Sequence, residues 1–323
     1  MYLEEDHDLP KISILLPFHG ECEYIVEAIK SCLIQSFESF ELILINDRAI
    51  PETLAKVDEF VFDSRVRVVT APKLGIVEAL NYGLTLAKGD YIARMDADDL
   101  MEPQRLLEQY KEFKTRENLV LLGTQVNYIN SSSLIIGRSF FPTGTKKVKN
   151  KLKLKNVIAH PSAMYKKEIA IKVGGYREIF AHAEDFDLWS RMSRFGEIDN
   201  LKIPLLRYRQ HSNQVSRLFD VKQAESTYLI SILNFLPEAF SQTDLSQNSI
   251  EKSILDNYSE ISIEGKALID WWKFRINKRK KYYFKALSYL IFSFLRNPLV
   301  FIEFIWDARF RLLRSLFVKK FVN

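Results

Sequence analysis

Cysteine is nearly absent. Only Cys22 and Cys32 occur in 323 residues, at a spacing that makes neither a CxxC metal pair nor a disulfide framework, so both are expected as reduced thiols. Glycine and proline are sparse too, at 11 and 10, which excludes a low-complexity or collagen-like chain. There is no internal repeat. The first eight residues carry four acids and no apolar core, unlike a secretory signal, so cytoplasmic residence is expected. The longest apolar stretch near the C-terminus is interrupted by Arg296-Asn297-Pro298 and Glu303, which is too broken for a spanning helix. A GxGxxG loop is also missing. The first apolar run leads into PFHGECE, which argues against a nicotinamide-dependent oxidoreductase.

What is present is a folded, globular composition, 47% hydrophobic and 27% charged, in a chain long enough for one large domain and an appendage. The formal charge of +5 is unevenly placed. Residues 271–323 hold 13 Lys and Arg against two acids, and the remainder holds 33 against 39. An acidic body with a basic, aromatic tail points to an anionic lipid surface as partner and away from nucleic acid. Trp271, Trp272, Phe301 and Trp306 lie among those cations, a mixture suited to the bilayer interface.

Short apolar runs alternate with helical patterns through the first hundred residues. Strands are expected at 12–16, 42–45, 66–69 and 91–95, and helices at 24–35 and 76–87. This is an α/β fold with a largely parallel sheet. Three polar clusters fall at strand ends, His19-Gly20-Glu21, Asn46-Asp47 and Asp96-Ala97-Asp98-Asp99, where open sheets of this kind bind ligands. Beyond them the pattern predicts a helix at 104–117, strands at 119–128 and 134–141, a lysine-rich connection at 143–156, a helix opening at Glu184-Asp185, and a closing strand at 198–208. From about residue 219 the pattern is mostly helical.

Asp96, Asp98 and Asp99 stand within four residues, and their mutual repulsion calls for a compensating cation. Carboxylate oxygens suit Mg²⁺ or Mn²⁺, which favour a few acids together with phosphate oxygens. The competing reading is that these acids cap the helix starting near Pro103. For Glu184 and Asp185 it is that they are acids favoured by a helix N-terminus.

Seven fragments, KISILLPFHGE, FELILINDR, GIVEALNYGLTLAKGDYIARMDADD, HPSAMYKKE, GGYRE, AEDFDLW and LLRYRQHSNQVS, occur in the order found in family 2 glycosyltransferases, which the chain resembles from about Lys11 to Arg217. The likeness is to bacterial members that build exopolysaccharide, capsule or lipopolysaccharide. It implies a GT-A catalytic domain at 1–218, with a nucleotide-binding half to residue 100 and an acceptor half beyond it, and the helical pattern makes 219–323 an extension. It further implies a nucleoside-diphosphate sugar donor, foremost a UDP-sugar, and a lipid-linked oligosaccharide or polysaccharide acceptor, while the basic, aromatic tail places the protein peripherally on the inner face of the cytoplasmic membrane. Pro17, His19, Asp47, Asp96 and Asp99 would then bind the donor, and Glu21 of the first strand-end cluster and Lys73, a phosphate partner or a solvated cation, are assigned to the same pocket. Asp98 would hold the metal, with His211 near the diphosphate as a further ligand. Asp185 would be the general base of an inverting displacement, with Glu184 and His160 toward the acceptor. A non-catalytic nucleotide-sugar or glycan-binding protein on the same fold is the alternative. Arg94, Arg207 and Arg209 are read as phosphate partners or solvated surface cations.

Overall fold

An apolar run such as ISILLPF is stable only as a strand covered on both faces, and β1 (Ile12–Gly20) is buried from Ile12 to Phe18. In the computed structural model it lies between β2 (Phe40–Ala49) and β4 (Tyr91–Arg94), parallel to both, and β2 pairs in parallel with β3 (Val66–Thr70). Residues 9–180, 182–210 and 220–234, with Lys266, Asp270 and Arg296, are described. The chain falls into two compact units that divide after Gln223, and the sheet belongs to the first. Helices α1 (Ile25–Leu33), α2 (Pro51–Asp58) and α3 (Ile76–Leu86) cross between the parallel strands. α1 buries Ile25, Ala28, Ile29 and Cys32, the i, i+3, i+4, i+7 stripe of an amphipathic helix.

The second half departs from the largely parallel expectation. It adds β5 (Leu100–Met101), α4 (Arg105–Thr115), β6 (Leu119–Ile129), β7 (Ile135–Arg138), α5 (Thr145–Leu152), β8 (Met164–Lys166), α6 (Lys167–Lys172), α7 (Glu184–Met192) and β9 (Glu197–Arg209). The nine-stranded sheet runs β3-β2-β1-β4-β8-β6-β9-β5, with β7 beside β6. β8 is antiparallel to both β4 and β6, whereas β6 and β9 run parallel. A three-residue strand gives no periodicity to read, so this reversal is invisible in the pattern. The lysine-rich connection also proves to be helical over α5, which buries only Val148 and Leu152. A last described helix, α8 (Asp220–Leu233), follows β9. The basic, aromatic tail lies outside the described residues apart from those named. Among the described residues no helix is long and apolar enough to cross a membrane.

The register sets the functional edge. Phe18 faces Asn46, Asn46 faces Thr70, and Leu15 faces Arg94, so His19, Asp47 and Asp96 leave their strands at the same end of the sheet. At the opposite end a buried polar knot closes the β1–β2–β4 seam. Ser13 Oγ donates to Glu41 Oε1 (2.7 Å), Arg67 pairs with Glu41 Oε2 (2.8 Å), and the Gly89 amide donates to Ser13 Oγ (2.9 Å).

Gly89 is required there because a Cβ would stand 2.6 Å from the Ser13 nitrogen and 2.7 Å from the Ile12 carbonyl carbon. Neither is a side chain that can swing away. Gly89→Ala is expected to lower unfolding free energy by about 1–3 kcal/mol in urea titration. Gly137→Ala, whose nearest neighbour would be Tyr128 at 3.7 Å, should change it by less than about 0.5 kcal/mol. Equal losses in the two variants would contradict the assignment.

Candidate active site

The acidic cluster forms because the chain must step from the end of β4, deep in the sheet, to β5, which pairs antiparallel with β9. Asp96, Asp98 and Asp99 occupy that step. One oxygen from each lies within 4.8 Å of the others. The capping alternative is removed, since α4 begins at Arg105 after Gln104 and receives no side-chain cap.

Like charges gathered so closely need neutralisation, and arginines supply part of it. Arg94 is 3% exposed and forms an ion pair with Asp96, leaving its Nε without a hydrogen-bond partner. Arg209 is fully buried. Its amide donates to Asp99 Oδ1 (2.8 Å), its Nε to the Asp98 carbonyl (2.8 Å), its Nη1 to the carbonyls of Asn130 and Ser131 (each 3.2 Å), and its Nη2 to Glu27 (3.0 Å). The guanidinium also covers the Tyr24 ring at 3.9 Å. Neither arginine is a solvated surface cation, and Arg207 is instead occupied by Glu102 (2.7 Å). Asp99 is 1% exposed, with its Oδ2 buried and lacking a partner among the described residues. Burial, then the charges of Asp98 and Asp96, push its carboxyl well above the usual range. An orphan carboxylate oxygen inside three converging acids fits a divalent cation, which would satisfy it.

At the same sheet edge, Asp47 is buried with its Oδ2 accepting from the Gly75 amide (3.0 Å) and its Oδ1 without a partner among the described residues. His19 Nδ1 lies 2.5 Å from the Asp47 carbonyl oxygen while the ring stays 65% exposed. Pro17 is buried opposite Ile45, Glu21 is exposed in the turn after β1, and Lys73 is exposed before α3. The sheet edge therefore brings His19, Asp47 and the acidic cluster together, with Lys73 on the segment leading to Gly75.

The second group is built by α7. Glu184 and Asp185 open it, and Asp187 follows one turn in. These three acids are sorted by their partners. Asp187 is 1% exposed and held by Arg177 Nε (2.9 Å) and Arg191 Nη2 (2.6 Å). Arg191 also donates to the Val173 and Gly175 carbonyls, so this pair is architecture. Asp185 accepts from Asn156 Nδ2 (2.6 Å) and the Phe186 amide (2.7 Å). Burial raises its carboxyl to about 6, against the lowering effect of the Phe186 amide and Arg94. Glu184 is 8% exposed with Oε2 unpartnered among the described residues, and burial followed by the charge of Asp185 raises it to about 7. A carboxylate poised near neutrality is suited to proton transfer.

His160 sits on a short 3₁₀ turn after Ala159, its Nε2 3.1 Å from Tyr176 Oη, which also lies 3.1 Å from Tyr165 Oη. Burial, then Arg94, holds this imidazole well below its usual pKa, so it is neutral near pH 7. His211 lies outside the described residues.

Sequence reasoning missed several supports. Arg105 is fully buried and bonds carbonyls of Pro161 (2.6 Å), Arg94 (3.0 Å) and Ala163 (3.1 Å), tying the end of β4 to the His160 turn. Its only trace is polar Arg105 and Gln109 one helical turn apart on the buried face, where they bond each other (3.0 Å). Asn81 accepts from the Tyr176 amide (2.8 Å) and donates to its carbonyl (2.9 Å), and no local signal marks it. Gln223 of α8 donates to the His182 carbonyl (2.9 Å) just before α7.

Fold and site together define a glycosyltransferase with the GT-A architecture. Residues 13–174 match the family described as Glycosyl transferase family 2. The O-antigen biosynthesis glycosyltransferase WbnJ of Escherichia coli is 35% identical over 216 residues, covering 65% of this chain and 83% of the relative. Staphylococcus aureus TarS in complex with UDP-GlcNAc superposes with a TM-score of 0.63 at 17% identity, covering 89% of this chain and 92% of that one. The mannosyltransferase PcManGT of Pyrobaculum calidifontis, solved with GDP-Man and Mn²⁺, gives 0.52 at 13% identity, covering 90% and 87%. The chain belongs to glycosyl transferase family 2.

The sorting of the α7 acids is open to measurement. Asp187→Asn should cost about 3–5 kcal/mol of stability by leaving the buried Arg191 and the half-buried Arg177 without their carboxylate. Asp185→Asn should leave the thermal midpoint within a few degrees of wild type. Comparable destabilisation by both would show that Asp185 is structural as well.

Proposed function

We propose that the protein is an inverting, divalent-cation-dependent transferase that moves a sugar from a nucleoside diphosphate, UDP foremost, to a hydroxyl of a lipid-linked or surface glycan. The observation that carries this reading is the pairing of two differently built acid groups, a cation-binding cluster and a partly satisfied pair at a helix start. The sugar nucleotides bound by TarS and PcManGT and the O-antigen role in the name of WbnJ support it.

In this reading the unpartnered Asp47 Oδ1 accepts a hydrogen bond from the base, with His19 and Pro17 bounding the same pocket and Glu21 and Lys73 at its rim. Asp96, kept in place by Arg94, receives the nucleotide's ribose. Asp98 and the orphan oxygen of Asp99 would hold Mg²⁺ or Mn²⁺, joined by His211. Such an ion stabilises the departing diphosphate without a proton. Asp185 takes the proton of the acceptor hydroxyl while Asn156 fixes the orientation of its carboxylate. Glu184 and neutral His160 orient the acceptor. Residues 1–218 form the catalytic domain, and the basic extension at 219–323 attaches it to the anionic inner face of the membrane.

Transfer from UDP-sugars in the presence of Mn²⁺ should fall by at least about two orders of magnitude in Asp98→Ala and Asp185→Asn, with thermal unfolding preserved. Undiminished turnover in either folded variant refutes the assigned role.

The pH dependence has a definite sign. The base works ionised and titrates at about 6, so kcat/KM should decline as pH drops through that value. An ordinary carboxylate near 4 would hold the rate level down to about pH 5. A level profile across that range would remove Asp185 from the role.

A further inference from the structure

Exposed apolar side chains are not evenly spread over the described surface. Of its thirteen exposed large hydrophobic residues, Leu134 (64%), Ile135, Ile136, Phe140 (85%) and Ile203 belong to one strip, and the others are scattered singly or in adjacent pairs. Single exposed apolar residues need no explanation, but a contiguous strip does.

The strip is the hairpin of β6 and β7 together with the neighbouring bulge of β9. Its turn is closed by Asn130 Oδ1, which accepts from the Ser132 (3.0 Å) and Leu134 (2.9 Å) amides. Ser139 points inward, accepting from the Val126 amide (2.8 Å) and donating to Gln125 (2.9 Å). Arg138 and Phe140 on either side of it, and Ile136, are exposed. Arg138 reaches across to the Lys202 carbonyl (2.8 Å), which places Lys202 and Ile203 beside them.

Charge identifies the occupant. Residues 130–156 contain seven Lys and Arg and no acid, although the body of the protein carries more acids than bases. Besides Arg138 and Lys202, the exposed Lys146 and Lys147 follow closely on α5, whose start is tied to β9 through the Gly144 amide and Asp199 (2.7 Å). Apolar side chains flanked by cations match the interface of an anionic bilayer, where acyl chains receive the first and headgroup phosphates the second.

We infer that this hairpin is a membrane-docking surface of the catalytic domain, separate from the C-terminal extension. Its turn is bonded through Arg209 to the backbone of Asp98, so docking holds the acidic cluster at a fixed position relative to the leaflet. That consequence rests on the transferase reading, in which the acceptor is lipid-linked. The docking itself does not.

The test compares the full chain with Ile136→Ser/Phe140→Ser and with Arg138→Glu/Lys202→Glu, by co-sedimentation with vesicles of phosphatidylcholine alone or mixed equally with phosphatidylglycerol. Wild type should partition onto the mixed vesicles only, and both double variants should do so roughly tenfold or more weakly. Hydrolysis of soluble UDP-sugar and thermal unfolding should be unchanged, which separates loss of docking from loss of the fold or the active site. Unaltered partitioning of the variants overturns the inference and leaves attachment to the extension. Failure of wild type to bind either vesicle overturns it as well. So does unaltered partitioning with a wild-type dimer that becomes monomeric in the variants, because the strip would then join two copies of the chain.

Discussion

Everything in the site depends on holding three carboxylates within a few ångströms at one edge of a sheet. Their repulsion is large in a poorly hydrated place, and the fold opposes it with guanidinium groups drawn from separate elements. Arg94 comes from the strand leading into the cluster and Arg209 from the last strand of the sheet. Arg105, from α4, is bonded to backbone carbonyls, Gln109 and the Met95 sulfur and to none of the three acids. Part of the negative charge remains uncompensated, and Asp99 keeps an oxygen with nothing to bond. A divalent cation would compensate what remains.

Arg94 also connects the two acid groups. It forms an ion pair with Asp96 and lowers the pKa values of Asp185 and Glu184 through space. In the proposed reading, one buried cation would thus serve both the donor group and the base. Burial of Glu184 and Asp185 has the opposite sense for stability. With folded pKa values above the ordinary carboxylate range, their contribution is full at low pH and diminishes as pH rises through about 6 and 7.

The parallel half of the fold and the acidic step at its edge were legible in the sequence because buried parallel strands write continuous apolar runs and the acids follow directly on one of them. The helix start at Glu184-Asp185 was readable for the same local reason. What stayed hidden is set by distant contacts. β8 is too short to carry a period, α5 hides behind lysines because it buries two residues, and Asn81 reveals nothing of its bonds to Tyr176 ninety-five residues away. Arginines were misjudged most. Composition treats them as solvated, yet Arg94, Arg105 and Arg209 are interior, and only tertiary structure distinguishes them from an exposed cation such as Lys73.

The central claim is that the carboxylates after β4 form a cation site completed by a nucleoside diphosphate. Electron paramagnetic resonance of Mn²⁺ titrated into the protein with and without UDP addresses it directly. The account predicts a bound-ion spectrum strengthened by UDP and lost in Asp98→Ala, with unfolding behaviour retained. Identical Mn²⁺ binding by wild type and that variant would contradict it.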